Sequence, residues 1–222
     1  MSKFIILATR NHPFYERLKS LNHFFYDLQY DEPFEKRKSN YREVDAVFDF
    51  SLADAPKKDK FLKFLNVEFD VPILSDLTCN WADAFLKRYP SIEGSFATAF
   101  YSPTSTYEYQ AKSEVIEKYL LELFGELSIK GEKIKNPGIG FNFPRIVSMI
   151  INEAYFAKEE GMNEQDIDTA MKYGVNYPIG PFEWAQKIGH EQIVNLLNEL
   201  YFVTKDSRYK VSPLLQLEAL KC

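Results

Sequence analysis

Along the first 130 residues, short apolar runs alternate with stretches of helical period. Phe4-Ile5-Ile6-Leu7-Ala8 is an unbroken apolar run of strand length. Residues 13–21 have helical content, and Phe24-Phe25-Tyr26-Asp27-Leu28 reads as a second strand. Residues 30–42 are polar and charge-rich and read as loop or as a weak helix. Val44 to Phe50 alternates as a strand does. Phe61, Leu62, Phe64 and Leu65 give a helix over 57–69 one apolar face. A short buried strand follows at 71–74, a helix at 82–88 and a strand at 95–100. A strongly amphipathic helix runs from Lys112 to Phe124 and is ended by Gly125, with a last strand over 126–130. Strands and helices alternating at this pitch imply βαβ units and a largely parallel sheet.

The pattern changes at Asn136-Pro137-Gly138-Ile139-Gly140, a turn-rich boundary. Everything beyond it reads as helix. Residues 144–160 carry Ile146, Met149, Ile150, Ala154 and Ala157, and Gly161 closes them. Asn163 caps a helix that Gly174 ends, and Pro181 opens another that Gly189 ends. Residues 191–203 are amphipathic, and Pro213 opens a final short helix.

The chain has 222 residues, 45% of them hydrophobic, enough for a sizeable core. Aromatics reach 16%, which argues for a packed interior or a buried interface. The net charge of −5 disfavours nucleic acid, whose binding needs clustered basic surface. No apolar run approaches the ~20 residues of a membrane span. The opening run reads as a strand and not as a leader, so a cytoplasmic protein is expected. Two cysteines, Cys79 and Cys222, make no disulfide framework, and His12, His23 and His190 lack metal spacing, so no metal site is expected. Of the nine glycines, the first is Gly94. A G-x-G-x-x-G phosphate loop is therefore excluded from the first 93 residues.

The second half resembles the C-terminal domain of the 3-hydroxyacyl-CoA dehydrogenases. The matching residues include Arg145-Ile146-Val147, Ile151-Asn152-Glu153-Ala154, Asp166-Ile167-Asp168-Thr169-Ala170-Met171-Lys172, Asn176-Tyr177-Pro178, Gly180-Pro181-Phe182-Glu183-Trp184 and Ser212-Pro213-Leu214-Leu215. Order and spacing hold over about 70 residues. In the first half, Ile73 to Asn80 sits where the family has an I-L-x-S-N-T-S-S segment, and Phe100-Tyr101-Ser102-Pro103 sits where it has H-F-F-N-P. The resemblance implies a truncated Rossmann-like α/β domain over 1–135 and an all-helical dimerisation domain over 136–222. It also implies NAD as cofactor, an L-3-hydroxyacyl-CoA as substrate, and a His oriented by a Glu as the base.

The sequence departs from that pattern at several positions. After the first strand come Thr9-Arg10-Asn11-His12-Pro13, without the glycines that let backbone approach a pyrophosphate. No residue is therefore assigned to NAD. Asp27 at the end of the second strand reads either as a ribose ligand or as a solvated acid. The family His position falls at Ala99, so no catalytic residue is assigned. Glu108, the nearby acid after Pro103, has the wrong spacing for the Glu and reads as an exposed loop carboxylate. The family Asn position falls at Pro144, anchored on the long helix, or at Asn142, anchored on Pro137-Gly138. Thr78, Cys79, Asn80, Asn142 and Arg145 are the candidate substrate-binding residues. Cys79 has no His partner and reads as a buried hydrophobe, and Arg145 meets a phosphate or pairs with an acid such as Glu153. His190 reads as a surface or capping residue, and Phe182 and Trp184 pack into the helical bundle.

These readings converge on a degenerate dehydrogenase homologue with little or no activity, retaining an acyl-CoA or other small-molecule ligand and a homodimer. The alternative is a dimerising interaction or acyl-CoA-binding module that partners a full-length paralogue.

Overall fold

The computed structural model describes residues 2–28 and 43–221. The stretch 30–42, read above as loop or weak helix, lies outside the described residues, as does Cys222.

The first half is a seven-stranded sheet in the order β2-β1-β3-β4-β5-β6-β7. The strands are β1 (Phe4–Ala8), β2 (Phe24–Asp27), β3 (Ala46–Phe50), β4 (Ile73–Asp76), β5 (Ile92–Phe96), β6 (Thr106–Ala111) and β7 (Lys130–Lys133). Neighbours pair in parallel except β5 and β6, which run antiparallel. All five residues of β1 and of β3 are buried, because helices cover both faces of the sheet. The period of two sorts them. Phe4, Ile6 and Phe48 pack with Leu120, Leu123 and Phe124 of α4 (Glu114–Glu126), on the face that α1 (Tyr15–Lys19) also covers. Ile5, Leu7 and Val47 face the other way, against Leu62 and Leu65 of α2 (Ala55–Glu68) and Phe85 of α3 (Ala82–Arg88). Asp54 caps α2 by accepting from the Lys57 amide, and Pro56 fits its first turn.

The helical half comprises α5 (Phe143–Glu159), α6 (Glu164–Gly174), α7 (Pro181–Ile188), α8 (His190–Thr204) and α9 (Pro213–Ala219). Asn163 caps α6 and Pro181 opens α7 as expected. The core of this half holds Ile151, Trp184, Ile193, Leu197 and Leu200, joined by Cys79, Ala99 and Phe100 from the sheet half. Trp184 Nε1 donates to the Tyr101 carbonyl at 3.0 Å, a second tie across the boundary.

Three sequence expectations need correction. Strand β6 was not anticipated, because its inward positions are Tyr107 and Tyr109, whose hydroxyls disguise an apolar face. The strand expected at 126–130 begins only at Lys130, since α4 continues to Glu126. The strand expected at 95–100 ends at Phe96, and Thr98 and Ala99 turn onto the sheet's edge.

Candidate functional site at the carboxyl edge of the sheet

Strands β1, β3, β4 and β5 are parallel, so their carboxyl ends share one edge. The chain switches direction of sheet growth between β1 and β3, the place where such folds bind ligands. Here that edge is occupied by the chain's own polar side chains. His12, two residues beyond the start of the β1 turn and only 2% exposed, lies 3.4 Å by its Nε2 from Asp76 Oδ2. Its Nδ1 accepts from the Phe14 amide at 3.1 Å, so the ring proton sits on Nε2 and faces the carboxylate. Asp76 also accepts from the Thr98 amide and hydroxyl, at 2.8 and 2.6 Å, and from the Thr78 amide and hydroxyl, at 2.9 and 2.6 Å. Burial pushes the Asp76 carboxyl up, but the bonds from His12, Thr78 and Thr98 outweigh it and hold it at about 2.

A second buried network lies beside the first. Lys58 of α2 reaches back to Asp49 at 2.7 Å and also donates to the Ser51 carbonyl at 2.7 Å and hydroxyl at 3.1 Å. Asp49 further accepts from the Ser51 amide and the Ser75 hydroxyl. Both ions are fully buried and mutually satisfied, as buried charges must be.

Thr78, Cys79 and Asn80 come together on this edge, but all three are buried with internal partners. The Thr78 hydroxyl serves Asp76 and receives the Ala99 amide. The Cys79 thiol points to Gln192 of α8, and burial pushes its pKa up, which suits a packing residue and not a nucleophile. Asn80 Nδ2 lies 3.4 Å from the Ala53 carbonyl. The other two candidates lie elsewhere. Asn142 is exposed at the N-cap of α5, and Pro144 fills that helix's first turn. Arg145 donates to the Tyr209 hydroxyl and stacks 5.3 Å from its ring, so its described partner is a tyrosine and not Glu153.

Two acids differ from their sequence reading. Glu108 is not an exposed loop carboxylate. It sits buried on β6, opposite in face to Tyr107 and Tyr109, and accepts from the Asn142 and Phe143 amides at 2.9 and 3.0 Å. It thus binds the N-terminus of α5 to the sheet. The alternation Tyr107-Glu108-Tyr109 is the signal that would have found it. Asp27 is not solvated either: it is buried and accepts from Arg10 Nε at 2.9 Å and the Tyr15 hydroxyl at 2.6 Å. His190, read as a surface or capping residue, stands at the first position of α8, half-buried and paired with the Tyr155 hydroxyl at 2.8 Å. The His12–Asp76 pair had no local signal, its members being 64 residues apart. Phe182 and Trp184 pack as expected, and Asp168 of α6 caps α7 through the Phe182 and Glu183 amides.

A dinucleotide fits this edge poorly. A pyrophosphate needs free amides and room at the β1 turn. The amides of His12 and Tyr15 bond to the Thr9 and His12 carbonyls, and that of Phe14 to the His12 ring. The His12 ring itself packs edge-on to Phe50 at 5.0 Å between centroids. Among the described residues no group of His, Cys, Asp and Glu could hold a metal, and no helix is long and apolar enough to cross a membrane.

Comparison with known proteins finds sequence relatives of the helical half. Residues 140–219 match the model of the 3-hydroxyacyl-CoA dehydrogenase C-terminal domain. Over 77 residues the chain is 48% identical to 3-hydroxyadipyl-CoA dehydrogenase of Escherichia coli K12, covering 34% of this chain and 16% of that one. Over 77 residues it is 38% identical to 3-hydroxybutyryl-CoA dehydrogenase of Clostridioides difficile, covering 34% of this chain and 27% of that one. The match thus spans less than a third of either relative. The fold extends further. The crystal structure of (S)-3-hydroxybutyryl-CoA dehydrogenase PaaH1 from Ralstonia eutropha superposes with a TM-score of 0.71 at 19% identity, covering 100% of this chain and 94% of that one. That of FadB2 from M. tuberculosis gives 0.70 at 12%, covering 99% and 93%. Sheet and helical bundle together therefore have the architecture of these enzymes.

Proposed function

We propose, from the premise that residues 140–219 belong to the 3-hydroxyacyl-CoA dehydrogenase family as its C-terminal domain, that this chain is a member of that lineage that no longer runs NAD chemistry. The observation that carries the reading is the filled carboxyl edge. His12 lies across the strand ends at the switch point, against Phe50 and Asp76, and the His12, Phe14 and Tyr15 amides are spent on the chain itself. Ala99 stands where the family has its base. Losing a positioned base alone costs a factor of ~100–10,000.

What this reading retains is a ligand of the acyl-CoA class and self-association through the helical half. Support for association comes from α6. It is amphipathic, yet none of its residues is buried in the single chain. Ile167, Ala170 and Met171 line an apolar groove of about 570 Å³ shared with Met149 and Ile150 of α5. A second copy of this chain is the occupant proposed. Calorimetry with NADH, then with acetoacetyl-CoA, tests the first part. No heat with NADH is expected, and micromolar NADH binding would overturn the reading. Light scattering tests the second: a dimer is expected, reduced to monomer by Met171→Glu. A wild-type monomer at micromolar concentration would remove association from the proposal.

A further inference from the structure

A cavity of about 720 Å³ opens where the sheet half meets the helical half, between the start of α2, α3 and the outer face of α8. Its volume is that of a small-molecule site. Asn195, Asn198, Glu199 and Phe202 line it from one face of α8, at spacings of three, four and seven residues. Trp81 and Phe85 line it from the start and middle of α3. Two of these aromatics are unusually open for their size: Trp81 is 40% and Phe202 69% exposed. One comes from each half of the molecule, and both border the same space.

The charges around the cavity are unevenly served. Asp59 is taken up by Arg88 and the Tyr89 hydroxyl, at 2.5 and 2.9 Å. Asp54 caps α2 and is met by Lys57 at 3.3 Å. Glu199 is different. Among the described residues no donor or cation meets its carboxylate, and burial without compensation pushes its pKa up. A half-buried carboxylate left unpaired beside aromatic faces is a site that a cation would complete. The carboxylate supplies the charge, and the ring faces of Trp81 and Phe202 add quadrupole attraction and apolar area.

We infer that this cavity binds a small organic cation, an ammonium group on a short apolar stem, with the nitrogen at Glu199 and the stem between Trp81 and Phe202. The inference does not rest on the dehydrogenase lineage, since none of these residues is among the candidate substrate-binding residues or the two buried networks described above.

Phenethylammonium and 3-phenylpropanoate, of similar shape and opposite charge, are the probes. Each is titrated into the intact chain by calorimetry, with tryptophan emission recorded in parallel. Phenethylammonium is expected to bind with a Kd of about 1 mM or tighter, and at least about tenfold more tightly than the anion. Glu199→Gln, checked for folding by circular dichroism, is expected to abolish that preference. Trp81→Phe is expected to remove the emission change while leaving weaker binding. Equal affinity for the two probes would make the cavity an apolar groove and overturn the inference. So would unchanged cation affinity in Glu199→Gln, or no heat from phenethylammonium at 10-fold the expected Kd.

Discussion

Lys58 offers the sharpest test of the internal electrostatics. The substitution is Lys58→Met, which keeps much of the stem's volume and removes the charge. In the native chain the Lys58 ammonium meets Asp49 at 2.7 Å, the Ser51 carbonyl at 2.7 Å and the Ser51 hydroxyl at 3.1 Å. Both partners of the ion pair have fully buried side chains. Without the ammonium, Asp49 keeps the Ser51 amide and the Ser75 hydroxyl but loses its counter-charge. Breaking a buried pair from one side costs about 3–5 kcal/mol, because the remaining charge stays desolvated. In a chain of this size that lowers Tm by roughly 6–20 °C. Removing both charges, as Lys58→Met with Asp49→Leu, is expected to cost much less than Lys58→Met alone, since nothing charged is then stranded. Urea titrations followed by circular dichroism would give both free energies. A loss under about 1 kcal/mol for Lys58→Met, or a double variant less stable than the single one, would refute the reasoning.

Further expectations follow from other contacts. The Asp76 pKa lies at about 2, below its ordinary 3.8, so its contribution of about 2 kcal/mol is fully present above pH 4. It is lost as pH falls from about 4 towards 2, and Asp76→Asn should flatten that part of a pH–stability curve. At Gly140 a Cβ would lie 2.3 Å from Leu196 Cδ1, on a backbone with φ of +75°, so Gly140→Ala should cost about 2–4 kcal/mol in denaturant titration. Trp184→Phe leaves the Tyr101 carbonyl without its indole donor and should cost about 1–2 kcal/mol by the same assay. Because the His12, Phe14 and Tyr15 amides are bonded internally and the turn carries no glycine, 1 mM NADH should leave the melting temperature unchanged.

What the sequence made legible tracks what is local. Apolar runs located β1, β3 and the helices, and Pro and Gly located the ends of α7, because each signal lies within a few residues of its effect. Strand β6 escaped because tyrosines filled its inward positions. The carboxyl edge was readable only as a lack, the missing glycines and the missing His. What stands there instead depends on pairs such as His12 with Asp76 and Glu108 with the Asn142 amide, separated by 64 and 34 residues. Thr78, Cys79 and Asn80 did come together, but no pattern in the sequence says that their polar atoms turn inward. The orientation of Arg145 towards Tyr209 was equally invisible, since the two are 64 residues apart.

The core beneath α5, α7 and α8 is not owned by the helices alone. Cys79, Ala99 and Phe100 are threaded into it from loops that follow β4 and β5, and Tyr101 accepts the Trp184 indole. The architectural boundary near residue 136 is therefore a poor place to divide the molecule. A fragment cut there would leave the helices with a hole lined by aliphatic side chains, and the sheet with Phe100 and Cys79 bared to water. Such halves should be sticky and poorly behaved, while the whole chain should unfold in one cooperative step. In evolutionary terms, the two segments are coupled: a substitution in the bundle core meets side chains that the sheet's loops supply.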